Sequence, residues 1–163
     1  MIAPETVKKA LDAIKRSADY QYFFSQLKSP DWLRPLWDAG LFRAPPAPTK
    51  DGNYISFPSW AESRYLARMG SRAPEIVLDI ILKMPETENV RVHEDVIEAA
   101  LSMPPPVAAK LTDKIRAWLN SRRLPLLPEA LGQLISHLAR GGQVSEALEL
   151  ARTVPLGNLT GRH

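Results

Sequence analysis

Apolar residues recur along this chain at the three- and four-residue spacing of amphipathic helices, and prolines and glycines separate the periodic segments. The clearest stripe is Ile76, Val77, Ile80, Ile81 and Met84, which Pro74 precedes and Pro85 follows. The alternation typical of a strand occurs only at residues 54–57. The pattern therefore predicts an all-α fold of about eight to nine helices. Its core should include Ile80, Ile81, Leu111, Ile115, Leu134 and Leu138.

Four segments of the chain repeat one arrangement, an apolar helix end, a Pro- or Gly-bearing break and a second apolar helix. Their anchoring residues are Leu27, Leu66, Leu101 and Leu138, which lie 39, 35 and 37 residues apart. A period of roughly 20–50 residues is typical of stacked helical hairpins, because no single unit can bury its apolar face alone. The repeat predicts an α-solenoid of antiparallel helical hairpins.

These hairpins resemble HEAT-type repeats, and HLARGGQVSEALELAR also resembles a tetratricopeptide-type hairpin. The resemblance covers most of residues 18–155. The tetratricopeptide pattern of Trp, Leu-Gly and Tyr at fixed offsets is not met, so the choice between the two families stays open. The resemblance implies a right-handed superhelix that serves mainly as a protein-binding scaffold.

Residues 1–163 fit a single helical domain with one irregular insertion at about residues 41–58. The insertion is rich in proline and contains an Asp51-Gly52 turn. Long loops are often functional. The alternative is an insertion pinned to the core by Tyr54, Ile55 and Phe57, and the apolar character of these residues favours that interpretation.

Composition excludes several classes of protein. The chain has no cysteine, which excludes disulfides and thiolate metal sites. The N-terminus lacks the apolar region of a secretory signal, and no apolar run is long enough to span a bilayer. We therefore expect a cytoplasmic protein with no membrane partner.

No catalytic or metal-binding pattern is complete. His93-Glu94 begins a zinc-protease motif, but Ile97 stands where the second histidine is needed, so His93 is interpreted as a surface residue. The acidic residues Glu94, Asp95 and Glu98 gather on a helix that starts near Arg91, and two of them lie in its first turns, where the helix dipole favours carboxylates. Gly141-Gly142 lacks the Lys-Ser/Thr of a phosphate loop. We expect no catalytic residue, no metal and no cofactor.

Basic residues supply the candidate partner-binding positions. Arg64, Arg68 and Arg72 are spaced by four and should form one solvent-facing stripe. Later segments add Lys110, Lys114, Arg122 and Arg123. The net charge of +3 is distributed as +2 over residues 1–57, −3 over residues 58–104 and +4 over residues 105–163. The leading hypothesis is a non-catalytic protein–protein interaction scaffold or regulatory module.

The alternative hypothesis is a nucleic-acid-binding protein, since basic helix stripes can follow a phosphate backbone. HEAT-like DNA glycosylases are one such family, with aromatic residues beside the DNA groove. Here Trp37 and Trp118 lie on apolar stripes, which assigns them to the core instead.

The ends of the predicted helix array differ. The first helix has a polar side suited to capping the array, with Lys8, Lys9, Asp12, Lys15 and Arg16. The last helix is apolar through Val144, Ala147, Leu148, Leu150, Ala151 and Val154. Two interpretations follow: the chain is the N-terminal part of a longer solenoid, or its C-terminal hairpin packs against another molecule, including a second copy.

Overall fold

A computed structural model describes residues 2–120 and 128–153. The helices run in chain order as α1 (Pro4–Asp12), α2 (Ser17–Gln26), α3 (Leu33–Asp38), α4 (Ala61–Met69), α5 (Pro74–Lys83), α6 (Val90–Ser102), α7 (Pro105–Ala108), α8 (Thr112–Asn120), α9 (Pro128–Arg140) and α10 (Val144–Thr153). Two short 3-10 helices, Pro30–Trp32 and Ala109–Leu111, precede α3 and join α7 to α8. Within the described residues this confirms the predicted all-α class.

Helix boundaries follow the breakers in the sequence. Pro4, Pro74 and Pro105 occupy first positions of helices, where the missing N–H of proline has no effect on the hydrogen bonding. Gly40 and Gly142 adopt the left-handed conformation after α3 and α9, with φ of 98° and 86°. These positions agree with the separation of helical segments by proline and glycine that the sequence predicts.

The first predicted helix is divided, a point that the sequence left open. Helix α1 ends at Asp12, and α2 begins at Ser17 after an extended Arg16 with φ of −130°. No proline or glycine marks this break, so the sequence pattern does not indicate it.

The helices contact one another in two series. In one series α2 contacts α4, α4 contacts α6, and α6 contacts α9. In the other, α1 contacts α3, α3 contacts α5, α5 contacts α7, and α8 contacts α10. Contacts of α4 with α5, α6 with α7 and α9 with α10 join the two series.

The buried side chains of both series form one apolar core. All six predicted core residues are at most 1% exposed, which confirms that prediction. Three of the four repeat-anchoring leucines, Leu27, Leu66 and Leu138, are buried, whereas Leu101 is half-buried.

The insertion contains an antiparallel hairpin of β1 (Thr49–Asp51) and β2 (Tyr54–Ser56), in which Lys50 pairs with Ile55 and Asp51 with Tyr54. All six strand residues are exposed. Tyr54 and Ile55 are 78% and 53% exposed, so the expectation that they pin the insertion to the core is wrong. Phe42, at the start of the insertion, is fully buried and anchors it instead.

Trp37 and Trp118 are half-buried and pack against the core, which confirms the prediction that they contribute to it, although neither side chain is fully buried. The Arg43 guanidinium lies 3.8 Å from the centroid of a Trp37 ring, and Trp118 stacks on His93. Both indoles use one face for apolar packing and keep polar partners, which periodicity alone does not distinguish from full burial.

No helix among the described residues is long and apolar enough to cross a membrane.

Truncating the core side chains tests the assigned helix faces. We expect Ile81→Ala and Leu134→Ala each to lower the free energy of unfolding by about 2–5 kcal/mol, because each leaves a cavity in a packed core. Leu82→Ala is the matched control: Leu82 neighbours Ile81 but is 48% exposed, and its truncation should change stability by less than about 0.5 kcal/mol. Urea denaturation measures all three. Losses below about 0.5 kcal/mol at both core positions would show that the faces are assigned wrongly.

Candidate functional site

The exposed hairpin is attached at both ends by one buried side chain. Asn89, which is 0% exposed, donates from its amide nitrogen to the carbonyl oxygens of Pro46 (2.9 Å) and Pro58 (2.8 Å). Its side-chain oxygen accepts from the backbone N–H of Arg91 at 3.0 Å and thereby caps α6. Asn89 therefore fixes the two ends of the hairpin segment to the N-terminus of a core helix.

The tip of the hairpin is a two-residue turn, Gly52-Asn53. Only Gly52 of the two has positive φ, at 63°, as in a type II′ turn. This turn matches the twist of paired strands, so the sequence at the tip itself favours the hairpin. The side chains of Tyr54 and Ile55 point to opposite faces of the two strands, because they are consecutive residues of one strand.

A second buried polar group, Glu62, holds the start of the insertion. Glu62 is 5% exposed and accepts from the backbone N–H of Phe42 (2.6 Å), the Trp60 indole N–H (2.8 Å) and the Tyr20 hydroxyl. Burial and the neighbouring carboxylate raise the pKa of Tyr20 well above its ordinary value, so Tyr20 remains a donor. One carboxylate thus joins α2, the insertion and α4.

Phe42 has a backbone conformation that aromatic side chains rarely adopt, with φ of 69°. Its bond to Glu62 and its complete burial stabilise this conformation.

The SWAE sequence at residues 59–62 has the pattern of a capping box, with Ser59 as N-cap and a helix from Trp60. That expectation is wrong: Trp60 is the N-cap residue of α4, and no side chain caps it. Glu62 turns into the core because two buried donors, the Phe42 N–H and the Trp60 indole, and the half-buried Tyr20 hydroxyl need an acceptor there.

The arginine stripe joins helices to one another. Arg64 donates from Nη1 to Asp95 (2.8 Å) and Glu98 (3.0 Å) on α6. Arg68 donates from Nη2 to the carbonyl oxygen of Phe24 at 2.6 Å, and Arg72 donates to that of Lys28. The last two side chains therefore satisfy carbonyl groups at the C-terminal end of α2, where cations are favourable.

This finding corrects the expectation of a solvent-facing stripe. Arg64 and Arg68 are half-buried, and only Arg72 is exposed. The long arginine side chains reach neighbouring helices on both sides of α4, which one-dimensional spacing does not reveal.

The later basic residues do not form one stripe either. Lys110 is exposed, whereas the Lys114 side chain is only 9% exposed. Lys114 donates to Glu86 at 2.9 Å and approaches the carbonyl oxygen of Met84, the C-cap residue of α5. Arg122 and Arg123 lie outside the described residues.

A shallow polar cleft lies next to the base of the hairpin, lined by Ser59, Arg64, Arg91, Glu94 and Asp95. Asp95 is 4% exposed and accepts from Ser63 at 2.5 Å and from Arg64, so it is a buried residue rather than a surface acid at a helix start. Burial raises the pKa of Asp95 against the opposing effect of these two bonds. Arg91 and Glu94 are exposed and present opposite charges at the rim of the cleft.

His93 is half-buried, which corrects its interpretation as a surface residue. Its ring stacks on Trp118 with the centroids 3.9 Å apart, and its Nε2 lies 2.8 Å from the carbonyl oxygen of Thr87. Because a carbonyl only accepts, Nε2 carries the hydrogen. Burial lowers the pKa of His93.

Glu86 completes the polar cluster around His93. It accepts from the Trp118 indole at 3.0 Å and from Lys114. Burial opposes its ionisation, but these two hydrogen bonds and the nearby positive charge together outweigh burial and lower the pKa of Glu86.

In the part of the chain that the structure describes, no three His, Cys, Asp or Glu residues are grouped so as to hold a metal ion. Comparison with protein-family models, curated proteins and solved structures finds no match to this chain.

Replacing Glu62 tests the buried network. We expect Glu62→Ala to lower the free energy of unfolding by about 3 kcal/mol or more, because two buried donors and the half-buried Tyr20 hydroxyl lose their acceptor. Ser59→Ala is the control and should have almost no effect, since Ser59 caps no helix. If Ser59→Ala lowered the free energy of unfolding by about 1 kcal/mol and Glu62→Ala changed it little, Ser59 would be the N-cap of a capping box and this prediction would be wrong. Chemical denaturation measures both.

The depressed pKa of His93 predicts a specific pH dependence of stability. Between its folded pKa and the ordinary value of 6.5, the unfolded chain binds more protons at His93 than the folded chain. The free energy of unfolding should therefore fall as the pH is lowered through this window, and less so in His93→Gln. The other two histidines are common to both proteins and cancel in the difference. Parallel stability curves for the two proteins would contradict the prediction.

Proposed function

We propose that this protein is a non-catalytic protein–protein interaction scaffold that binds its partner through a hairpin surface. We define the hairpin surface as β1, β2 and the rim residues Arg91 and Glu94 of the adjacent cleft. One observation carries the proposal: Tyr54 and Ile55 are 78% and 53% exposed on a hairpin whose two ends are bonded to the buried Asn89.

An isolated two-stranded hairpin is at best marginally stable in water, so its attachment to the core matters. The bonds from Asn89 and the burial of Phe42 hold the segment at three points. A rigid attachment reduces the ordering entropy of binding, and tyrosine is enriched among the residues that dominate interface energetics. The exposed charges of Arg91 and Glu94 would make polar contacts with the partner at the edge of the hairpin surface.

The helices around this surface are proposed to form an α-solenoid of the HEAT or tetratricopeptide kind, right-handed as the resemblance implies. The two series of helix neighbours support stacking, since helices of one series contact the next member of that series and also pair with helices of the other series. The partner is proposed to be another protein or a further part of a longer chain, and the location is proposed to be cytoplasmic.

Nucleic-acid binding is the second candidate and has less support. A groove that follows a phosphate backbone needs cations directed at solvent. Arg64, Arg68 and Arg72 donate to carboxylates and carbonyls of this chain, and Lys114 is engaged with Glu86. Of the predicted basic positions that the structure describes, Lys110 and Arg72 are the exposed ones.

The double variant Tyr54→Ser/Ile55→Ser tests the hairpin surface. Because both side chains are exposed, we expect the melting temperature to change little while partner capture from the source cells falls at least about tenfold. Leu82→Ser is the matched control: it removes an exposed aliphatic side chain from α5 and should leave capture unchanged.

Equal capture by the double variant and the wild type would place the binding surface elsewhere. Binding of labelled DNA or RNA that weakens with salt and is lost in Lys110→Glu would favour the second candidate instead.

A further inference from the structure

We propose that two copies of this chain pair through the outer edge of β2, so that their two hairpins form one four-stranded antiparallel sheet. The inference rests on the proposed function, because it takes the hairpin surface as a binding surface. It names a second copy of the chain as the occupant of one edge of that surface. The evidence is the set of backbone groups that the hairpin leaves unpaired.

The outer edge of β2 presents the backbone N–H and C=O of Ile55. In an antiparallel pair of strands, opposed residues alternate between those that exchange hydrogen bonds and those whose backbone groups point outwards. Asp51 and Tyr54 flank the two-residue turn and form a hydrogen-bonded pair. The next pair therefore directs its backbone groups outwards, those of Lys50 from β1 and those of Ile55 from β2. Within the described residues, no other backbone group bonds to the N–H or C=O of Ile55.

The two outer edges of the hairpin differ in their protection against pairing with another strand. Natural edge strands avoid such pairing with lysine and proline. The edge of β1 has both, since Lys50 is its outward-pointing residue and Pro48, two residues earlier, has no N–H. Strand β2 (Tyr54–Ser56) has no charge and no proline, and its three residues are exposed. The unprotected edge is therefore that of β2, and an extended backbone complements it.

The edge of β2 is complementary to itself. When two copies of β2 lie antiparallel about Ile55, each Ile55 N–H donates to the C=O of the other Ile55, which satisfies both outward groups of each copy. Tyr54 of one copy then lies opposite Ser56 of the other, so no charged residue faces a like charge. Both copies use the same surface, as in the two-fold contacts of most homodimers.

Charge favours this pairing over one between two β1 edges. Two β1 edges would place Lys50 directly opposite Lys50 of the other copy, and like charges in that position destabilise a sheet. In the β2 dimer the two Lys50 residues lie about 14 Å apart by the usual strand spacings, which exceeds the Debye length of about 8 Å. Pairing of β2 with β1 of another copy would leave one free edge of each kind and would build open chains.

The pairing would also stabilise each hairpin. A two-stranded hairpin is marginally stable, and three or more strands with an apolar face are needed for stability of their own. In the dimer the Ile55 side chains, 53% exposed in the single chain, lie side by side on one face of four strands. Because only three residues of each copy pair, we expect the association to be weak.

Sedimentation velocity of the full chain over a wide concentration range tests the pairing by exchanging charges at Ile55. We expect the wild type to approach the mass of a dimer as the concentration rises, and to go no further. In Ile55→Lys and in Ile55→Glu two like charges would lie directly opposite each other, so each variant alone should associate about fivefold more weakly or less. An equimolar mixture of the two variants should form a one-to-one dimer, because the introduced charges are then opposite in sign.

Ile55→Pro tests the backbone pairing itself. It removes the outward N–H but leaves the hydrogen bonds between β1 and β2 in place, because Ile55 makes none of them. We expect weaker association than in Ile55→Val, which keeps the N–H and has as many side-chain carbon atoms as proline. Lys50→Pro removes the corresponding N–H from β1 and should associate like the wild type. A thermal melt checks that each variant is folded.

Four results would overturn the proposal. The first is a wild-type chain that is monomeric at every concentration. The second is a mixture of Ile55→Lys and Ile55→Glu that associates no better than either variant alone. The third is equal association of Ile55→Pro and Ile55→Val. The fourth is growth beyond a dimer by Ile55→Glu alone, which would show β2 paired with Lys50 of β1.

Partner capture separates this proposal from the proposed function. A monomeric wild type whose Tyr54→Ser/Ile55→Ser variant loses capture would overturn the pairing and support the proposed function. A wild type that pairs as expected, and whose double variant captures the partner normally, would support the pairing and contradict the proposed function.

Discussion

The buried carboxylate of Glu62 is the interaction on which the arrangement of the N-terminal half depends. A buried charge is tolerated only when donors surround it, and here the donors come from three separate parts of the chain: Tyr20, Phe42 and Trp60. Because all three must be in place together, α2, the insertion and α4 are fixed relative to one another. The left-handed backbone of Phe42 is a consequence of this constraint.

A buried polar side chain also positions the exposed hairpin. Asn89 caps α6 and also holds the two ends of the hairpin segment, so helix formation and hairpin placement depend on one side chain. Arg64 then ties α4 to α6 beside the cleft. The exposed Tyr54 and Ile55 are thereby presented from a base of buried, fully bonded polar groups, which is how a binding element retains its position without a core of its own.

Among the polar residues that the sequence pattern places wrongly, the errors share one cause. Spacing by four correctly puts Arg64 and Arg68 on one side of α4, and Arg72 follows the end of that helix. The partners of these arginines are two carboxylates on α6 and carbonyls at or just after the end of α2. His93 was assigned to the surface for the same reason, since its stacking partner Trp118 lies on a helix distant in sequence. The local sequence pattern predicts on which side of a helix a residue lies. Only the tertiary structure shows which groups that residue contacts.

The sequence by itself determined the helical class, most helix boundaries and the core, because periodicity, proline and glycine act within a few residues of chain. These local signals are sufficient to predict the burial of Ile81 and Leu134 and the turn at Gly142. Tertiary structure alone decided which polar groups are buried and which apolar ones are exposed. Glu62 is buried because distant donors converge on it, and Tyr54 is exposed because its hairpin projects beyond the helices that would cover it.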